Sequence, residues 1–287
     1  MKNRINNLSK LFVLIVFFSL SACSYSPQML KEAYSELGSD FGNEIKQTID
    51  LSATQNAKVD HYISELMKWH RQNKLPEYSQ LLSHVASSIQ QPKPSVVVFQ
   101  KALMTMQDVP HFDQARHLTP MMADIANSLS RAQISQLEKS LKNEYEKEKY
   151  EIKAKKLPRD ITQGYAQLFS FLEASLNAKQ KKILKDESVK FYDLRWYELQ
   201  YYESWYKRFI SLLKKPKSPQ FRAQFAKLWN TRETRYTGAV LQKHQQNIKR
   251  QATLLTTLIA SFDQEKKNKL ASKLQSMSNT LSELANR

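Results

Sequence analysis

The chain has 287 residues, with only four glycines and one cysteine, and a formal net charge of +17. So few glycines leave few positions for the left-handed turns that hairpins need, which argues against a strand-and-turn architecture and for an all-α fold. A single cysteine excludes any internal disulfide, so stability must come from a packed core.

Lys2, Arg4 and Lys10 flank the short apolar run Leu11–Leu20 (LFVLIVFFSL). Spanning a bilayer takes about 20 apolar residues, and this run is too short. The pattern is that of a secretory signal, with small residues Ser21 and Ala22 before the cut. Leu20-Ser21-Ala22-Cys23 resembles the lipobox of bacterial lipoproteins. The resemblance implies that residues 1–22 are removed, that the Cys23 thiol carries a diacylglycerol, and that the new amino group is acylated. An ordinary signal with an incidental cysteine is the competing reading. It requires the one cysteine of the chain to fall by chance where a lipobox needs it. Each buried methylene adds about 0.8 kcal/mol, so two or three acyl chains anchor a protein without a membrane-spanning helix. Ser24, in place of an aspartate, is similar to outer-membrane sorting signals. The expected address is therefore the cell envelope, anchored in the outer membrane and facing the periplasm.

Residues 23–50 read as a lipidated tether and a short helix, with Leu30, Tyr34 and Leu37 at helical spacing and Gly38 and Gly42 loosening the chain after them. Residues 51–287 read as a helical domain, either whole or in halves near 51–175 and 176–287. Its first strong helix start is Leu51-Ser52-Ala53-Thr54-Gln55, a capping box in which Ser52 and Gln55 satisfy each other's backbone N–H groups. Leu129-Ser130-Arg131-Ala132-Gln133 and Leu176-Asn177-Ala178-Lys179-Gln180 repeat it, and Phe262-Asp263-Gln264-Glu265 is a degenerate fourth. The spacings are irregular, which excludes a solenoid of fixed period. They read as repeated capping chemistry, with old duplication as one origin. Further helices are predicted over 76–90, 95–107, 113–128, 133–156, 161–174, 179–213, 219–235, 238–262 and 264–286. The fold class is an irregular multi-helix bundle of about nine or ten helices after the lipidated tether.

Charge is uneven. Residues 23–175 are neutral, whereas residues 176–250 hold 18 basic and six acidic residues. The same stretch is aromatic-rich, from Phe191 to Tyr236. Rings at helical spacing point first to core, and lysines opposite them to a solvated face. Export removes nucleic acid from the expected partners and leaves anionic envelope lipids and polymers. Lys214, Lys215 and Lys217, around Pro216, are the best candidates for such contact, because no acidic residue lies nearer in sequence than Glu203 or Glu233.

Chemistry-bearing motifs are few. No glycine-rich phosphate loop, G-x-S-x-G, H-E-x-x-H or C-x-x-C is present. His111 and His117 flank Asp113 without the spacing of a metal site, and no cofactor is expected. Glu203-Ser204 in an aromatic helix resembles the catalytic Glu-Ser of helical lytic transglycosylases, the one enzymatic alternative. A distinctive block is Trp69-His70-Arg71 followed by Leu75-Pro76-Glu77-Tyr78. It reads as a helix end, a tight corner and a new helix with proline in its first turn, with Trp69 and Leu75 packing across it. Arg71 faces the negative end of the first helix dipole.

Lipobox, L-S-x-x-Q starts and W-H-R-x-x-x-L-P-x-Y, in that order, resemble a family of uncharacterised helical lipoproteins of proteobacteria. The L-S-x-x-Q starts are also similar to the L-T-x-x-Q repeats of Spy-type periplasmic chaperones, though this chain is longer and lacks the threonines. The expectation is a non-enzymatic envelope lipoprotein that binds a partner, chaperone-like or assembling. Trp69, His70, Arg71, Tyr78, Lys214, Lys215 and Lys217 are the candidate binding residues, and no metal is expected. The partner is the membrane through Cys23, with an anionic envelope lipid or polymer, or an envelope protein, beside it.

Overall fold

A computed structural model describes residues 26–107, 115–215, 218–230 and 236–286. Cys23 and the signal, His111, Asp113, Pro216 and Lys217 lie outside them. The described residues form an all-α bundle without strands. Its first six helices are α1 (Pro27–Thr48), α2 (Ala53–Asn73), α3 (Leu75–Ile89), α4 (Val96–Gln107), α5 (Thr119–Asn127) and α6 (Arg131–Ala154). Six more complete the bundle: α7 (Leu157–Phe171), α8 (Ala178–Ser188), α9 (Arg195–Lys214), α10 (Phe221–Asn230), α11 (Gly238–Ala260) and α12 (Gln264–Ala285). No described helix is long and apolar enough to cross a membrane.

Three departures from the sequence reading have local causes. The helix over 179–213 is two helices, because residues 189–194 are held off the helical path. Tyr192 exchanges two backbone hydrogen bonds with the Asn247 amide (2.9 and 2.8 Å), and Asp193 accepts from the Arg195 N–H. The helix expected from 113 begins at Thr119, after a single 3-10 turn at Arg116–Leu118. Gly38 and Gly42 do not loosen the chain. They lie within α1, where a Cβ on Gly38 would stand 3.1 Å from Met67 Cγ, so the glycine lets α1 and α2 approach closely.

The capped starts are where the sequence reading meets tertiary structure. Ser52/Gln55, Ser130/Gln133 and Asn177/Gln180 all form reciprocal capping boxes. Each glutamine then has donor capacity to spare, and directs it to another start. Gln55 Nε2 donates to Ser128 O at 2.9 Å, and Gln133 Nε2 donates to Asp50 O at 2.7 Å. Both acceptors lie two residues before the cap of the opposite helix. The two amides also bond each other, at 3.1 and 2.7 Å. The third and fourth starts repeat the arrangement. Gln180 Nε2 donates to Ser261 Oγ at 3.0 Å, and Lys266, at the glutamine position of the Asp263 cap, donates to Ser175 O. Ser261 and Ser175 again lie two residues before the opposing caps.

These paired clasps belong to a larger parallel between α1–α6 and α7–α12. The buried positions of α3 and α9 coincide in register. Leu75, Leu81, Leu82, Val85, Ala86, Ser88 and Ile89 match Leu199, Trp205, Tyr206, Phe209, Ile210, Leu212 and Leu213, always 124 positions apart. Four pairs of packings obey the same exchange. α3 lies on α12 as α9 lies on α6, and α4 on α11 as α10 on α5. Within each half, α1 packs on α2 as α7 on α8, and α2 on α5 as α8 on α11. The two halves are interlaced, so each main core is shared. One core joins α3 and α4 to α11 and α12, and a second joins α5 and α6 to α9 and α10.

Candidate functional site

Two places hold the residues singled out above. The first is the corner between α2 and α3. His70, in the last turn of α2, is wholly buried. Its Nδ1 shares a 3.2 Å hydrogen bond with Tyr34 OH of α1, and its ring stacks on Tyr34 and tilts against Tyr78 of α3. Arg71 sits over the Tyr34 ring, 5.9 Å from its centre. Burial pushes the Tyr34 hydroxyl up to about 12, against the pull of Arg71, and pushes Tyr78 higher still. Both phenols therefore stay protonated at any physiological pH. Lys74, itself buried, bonds Glu77 across the turn at 2.6 Å. Trp69 and Leu75 do not pack across the corner as expected. Leu75 enters the first core, whereas Trp69 turns to a third cluster and meets the His117 ring at 6.3 Å. The corner thus pins α1, α2 and α3 together, and His70 offers no surface to a ligand.

The second place is a cleft of about 580 Å³ where the end of α9 and the start of α10 face the start of α6. Leu129, Ile134, Leu213 and Phe221 give it an apolar wall, and Arg131, Lys214 and Lys215 stand among its lining with one carboxylate, Glu138. Lys214 does have an acidic neighbour, although none is near in sequence: its Nζ bonds Glu138 at 2.6 Å. Arg131 and Lys215 have no ion-pair partner among the described residues. The first turn of α6 holds no acidic residue, so its positive helix end adds to the cationic field. Asn127, also in the lining, has a buried Oδ1 without a hydrogen-bond partner. Sequence reasoning found the lysines but missed Arg131, Asn127 and Glu138. The only available signal was the Leu129–Gln133 cap, which builds the opposite wall.

Glu203, the proton donor of the enzymatic alternative, accepts a 2.7 Å hydrogen bond from Lys207. That bond holds its carboxyl below the usual carboxylate range, opposite to what a general acid needs near neutral pH. No cluster of three metal-ligating side chains occurs among the described residues.

A family model described as a family of unknown function, DUF6279, matches residues 47–239. The chain belongs to DUF6279. The DUF6279 match runs from the end of α1 to the start of α11, so it takes in the first clasp, the α2–α3 corner and every lining residue of the cleft. No curated protein and no solved structure matches this DUF6279 chain.

Proposed function

We propose that this protein is a lipid-anchored component of the bacterial envelope that works by binding rather than catalysis, and that it binds an anionic envelope lipid or polymer through the basic end of α9. The observation that carries the reading is the cleft mouth, where Arg131 and Lys215 stand without carboxylate partners beside an apolar wall. Charge at an exposed helix end is not needed for packing, and each lysine near an anionic bilayer adds about 1 kcal/mol of attraction. The lipobox at Cys23 supports the address, since an acyl anchor would hold this surface against a membrane. The Glu203–Lys207 pair argues against the glycan-cleaving alternative. Flotation of the unlipidated chain with anionic and neutral vesicles, at low and high salt, tests the proposal. Binding should be confined to anionic vesicles and weaken with salt, because the Debye length is about 8 Å at physiological ionic strength. Changing Lys214, Lys215 and Lys217 to Glu should abolish it without lowering the melting temperature. Equal binding to neutral vesicles, or none to either, refutes the proposal.

A further inference from the structure

The tryptophans of the chain differ in their surroundings. Trp205 lies in the second core, and Trp69 and Trp229 are half-buried against their clusters. Trp196, in the first turn of α9, is 41% exposed. An indole left in water forgoes the burial of a large apolar ring, and its N–H gives it one end suited to a polar layer. Its place on the helix matters as much. Trp196, Gln200, Ser204, Arg208, Ser211 and Lys215 follow one another by three or four residues, so they form one ridge, and all six are exposed. The ridge carries no carboxylate. The acidic residues of α9, Glu198 and Glu203, are half-buried and engaged, Glu198 by the Tyr236 hydroxyl and Glu203 by Lys207 at 2.7 Å. Asp193, just ahead of the helix, is held by Arg195 at 2.7 Å. Arg208 donates to the Ser204 carbonyl of its own helix and, like Lys215, has no ion-pair partner among the described residues. An aromatic ring at one end and uncompensated cations toward the other thus stand on one outward line. At 1.5 Å per residue, Trp196 and Lys215 are about 28 Å apart.

We propose that this ridge of α9 lies along an anionic lipid bilayer, with the Trp196 indole in the head-group layer and Arg208 and Lys215 on lipid phosphates. This rests on the proposed function and deepens it: Lys215 already stands at the cleft mouth, and the occupant becomes a bilayer, not a soluble polymer. A polyanion calls for charge alone, whereas an exposed indole finds its two environments together at the boundary between apolar and polar phases. Arginine suits the phosphates, because it can meet one with two parallel hydrogen bonds. The contact is peripheral. Trp205, Tyr206 and Phe209 commit the apolar face of α9 to the second core, so only the Trp196 side chain enters the lipid.

The test follows the tryptophan emission of the unlipidated chain on phosphatidylglycerol vesicles containing a brominated phosphatidylcholine, which quenches indoles inside the bilayer. Vesicles of phosphatidylcholine with the same brominated lipid, and soluble polyphosphate, serve as comparison probes. Emission should move to shorter wavelength and be quenched on the anionic vesicles alone, and Trp196→Phe should remove both changes. Trp196→Ser should weaken vesicle binding at least about fivefold through the apolar surface it removes. Arg208→Glu should weaken it at least about fivefold through charge. Both side chains are exposed, so neither variant should lower the melting temperature. Flotation with anionic vesicles without quenching of Trp196, or wild-type affinity in both variants, overturns this inference and leaves the proposed function standing. Polyphosphate bound as tightly per anionic group as the vesicles are shows a polymer site and overturns the bilayer as occupant. Quenching that persists in Trp196→Phe puts another tryptophan in the lipid and overturns the orientation. Failure of flotation as well removes both readings.

Discussion

Replacing Gln133 by Ala is the sharpest test of the clasp. The Gln133 amide makes four hydrogen bonds: Oε1 accepts from Ser130 N and Gln55 Nε2, and Nε2 donates to Asp50 O and Gln55 Oε1. A net value of about 0.5–1.5 kcal/mol each would total about 2–6 kcal/mol. Ser130 and Asp50 are exposed, so water replaces their lost bonds. Gln55 is 7% exposed, so its abandoned groups are poorly rehydrated. Weighing these, the loss should be about 3 kcal/mol. For a chain of this size that corresponds to a fall in Tm of about 6–12 °C. Gln180→Ala loses fewer bonds, the one accepted from Asn177 N and those donated to Ser261, since its counterpart is Lys266, and should cost about half as much. Thermal melting followed by circular dichroism reads both. Gln55→Ala and Gln133→Ala combined should be sub-additive by about 1 kcal/mol or more, because either change breaks the same mutual bonds. Additive losses, or a Gln133→Ala variant melting within about a degree of the wild type, would refute the clasp as a stabilising element.

Three further outcomes are expected. Glu144 of α6 lies near Glu44 of α1, and burial first, then that neighbouring charge, raises its carboxyl to about 7. A carboxyl raised in the folded state disfavours folding progressively as pH rises from the unfolded value through about 7. Glu144→Gln should therefore raise Tm at pH 8 and leave it unchanged at pH 4, and the reverse order in melts at the two pH values would contradict this. Gly164 lies inside α7, where an added methyl group would meet nothing within 4 Å, so Gly164→Ala should stabilise by about 0.5–1 kcal/mol in a denaturant titration. Cys23→Ser should release the protein from the membrane fraction and abolish labelling by an alkyne fatty acid; persistent label would place the anchor elsewhere.

What the sequence displayed well was local. Ser52/Gln55 and its repeats could be read as helix starts because cap and partner lie three residues apart. What it concealed was the second use of each glutamine, since Gln55 and Gln133 meet across 78 positions. The parallel between α1–α6 and α7–α12 was hidden for a related reason. Burial register survives between α3 and α9 while identity does not, so Leu81 answers to Trp205 and Val85 to Phe209. The 189–194 break was invisible because Asn247, which holds it, lies 55 residues on from Tyr192. At the cleft, Lys214 looked unpaired only because Glu138 is 76 residues away. The Trp69–Tyr78 corner was legible as a corner, from Pro76 and the helix-end pattern. Which core each of its residues entered depended on helices far along the chain.

Interlacing has a consequence for how the chain reaches its native state. The N-terminal unit cannot finish itself. α3 closes most of its apolar face against α12, and α4 packs mainly against α11. During synthesis, those faces wait for partners more than a hundred residues downstream. Such non-local closure slows folding and prolongs exposure of sticky surface. Loss of α12 should accordingly be felt across the chain at α3, and not only where the helix itself is removed.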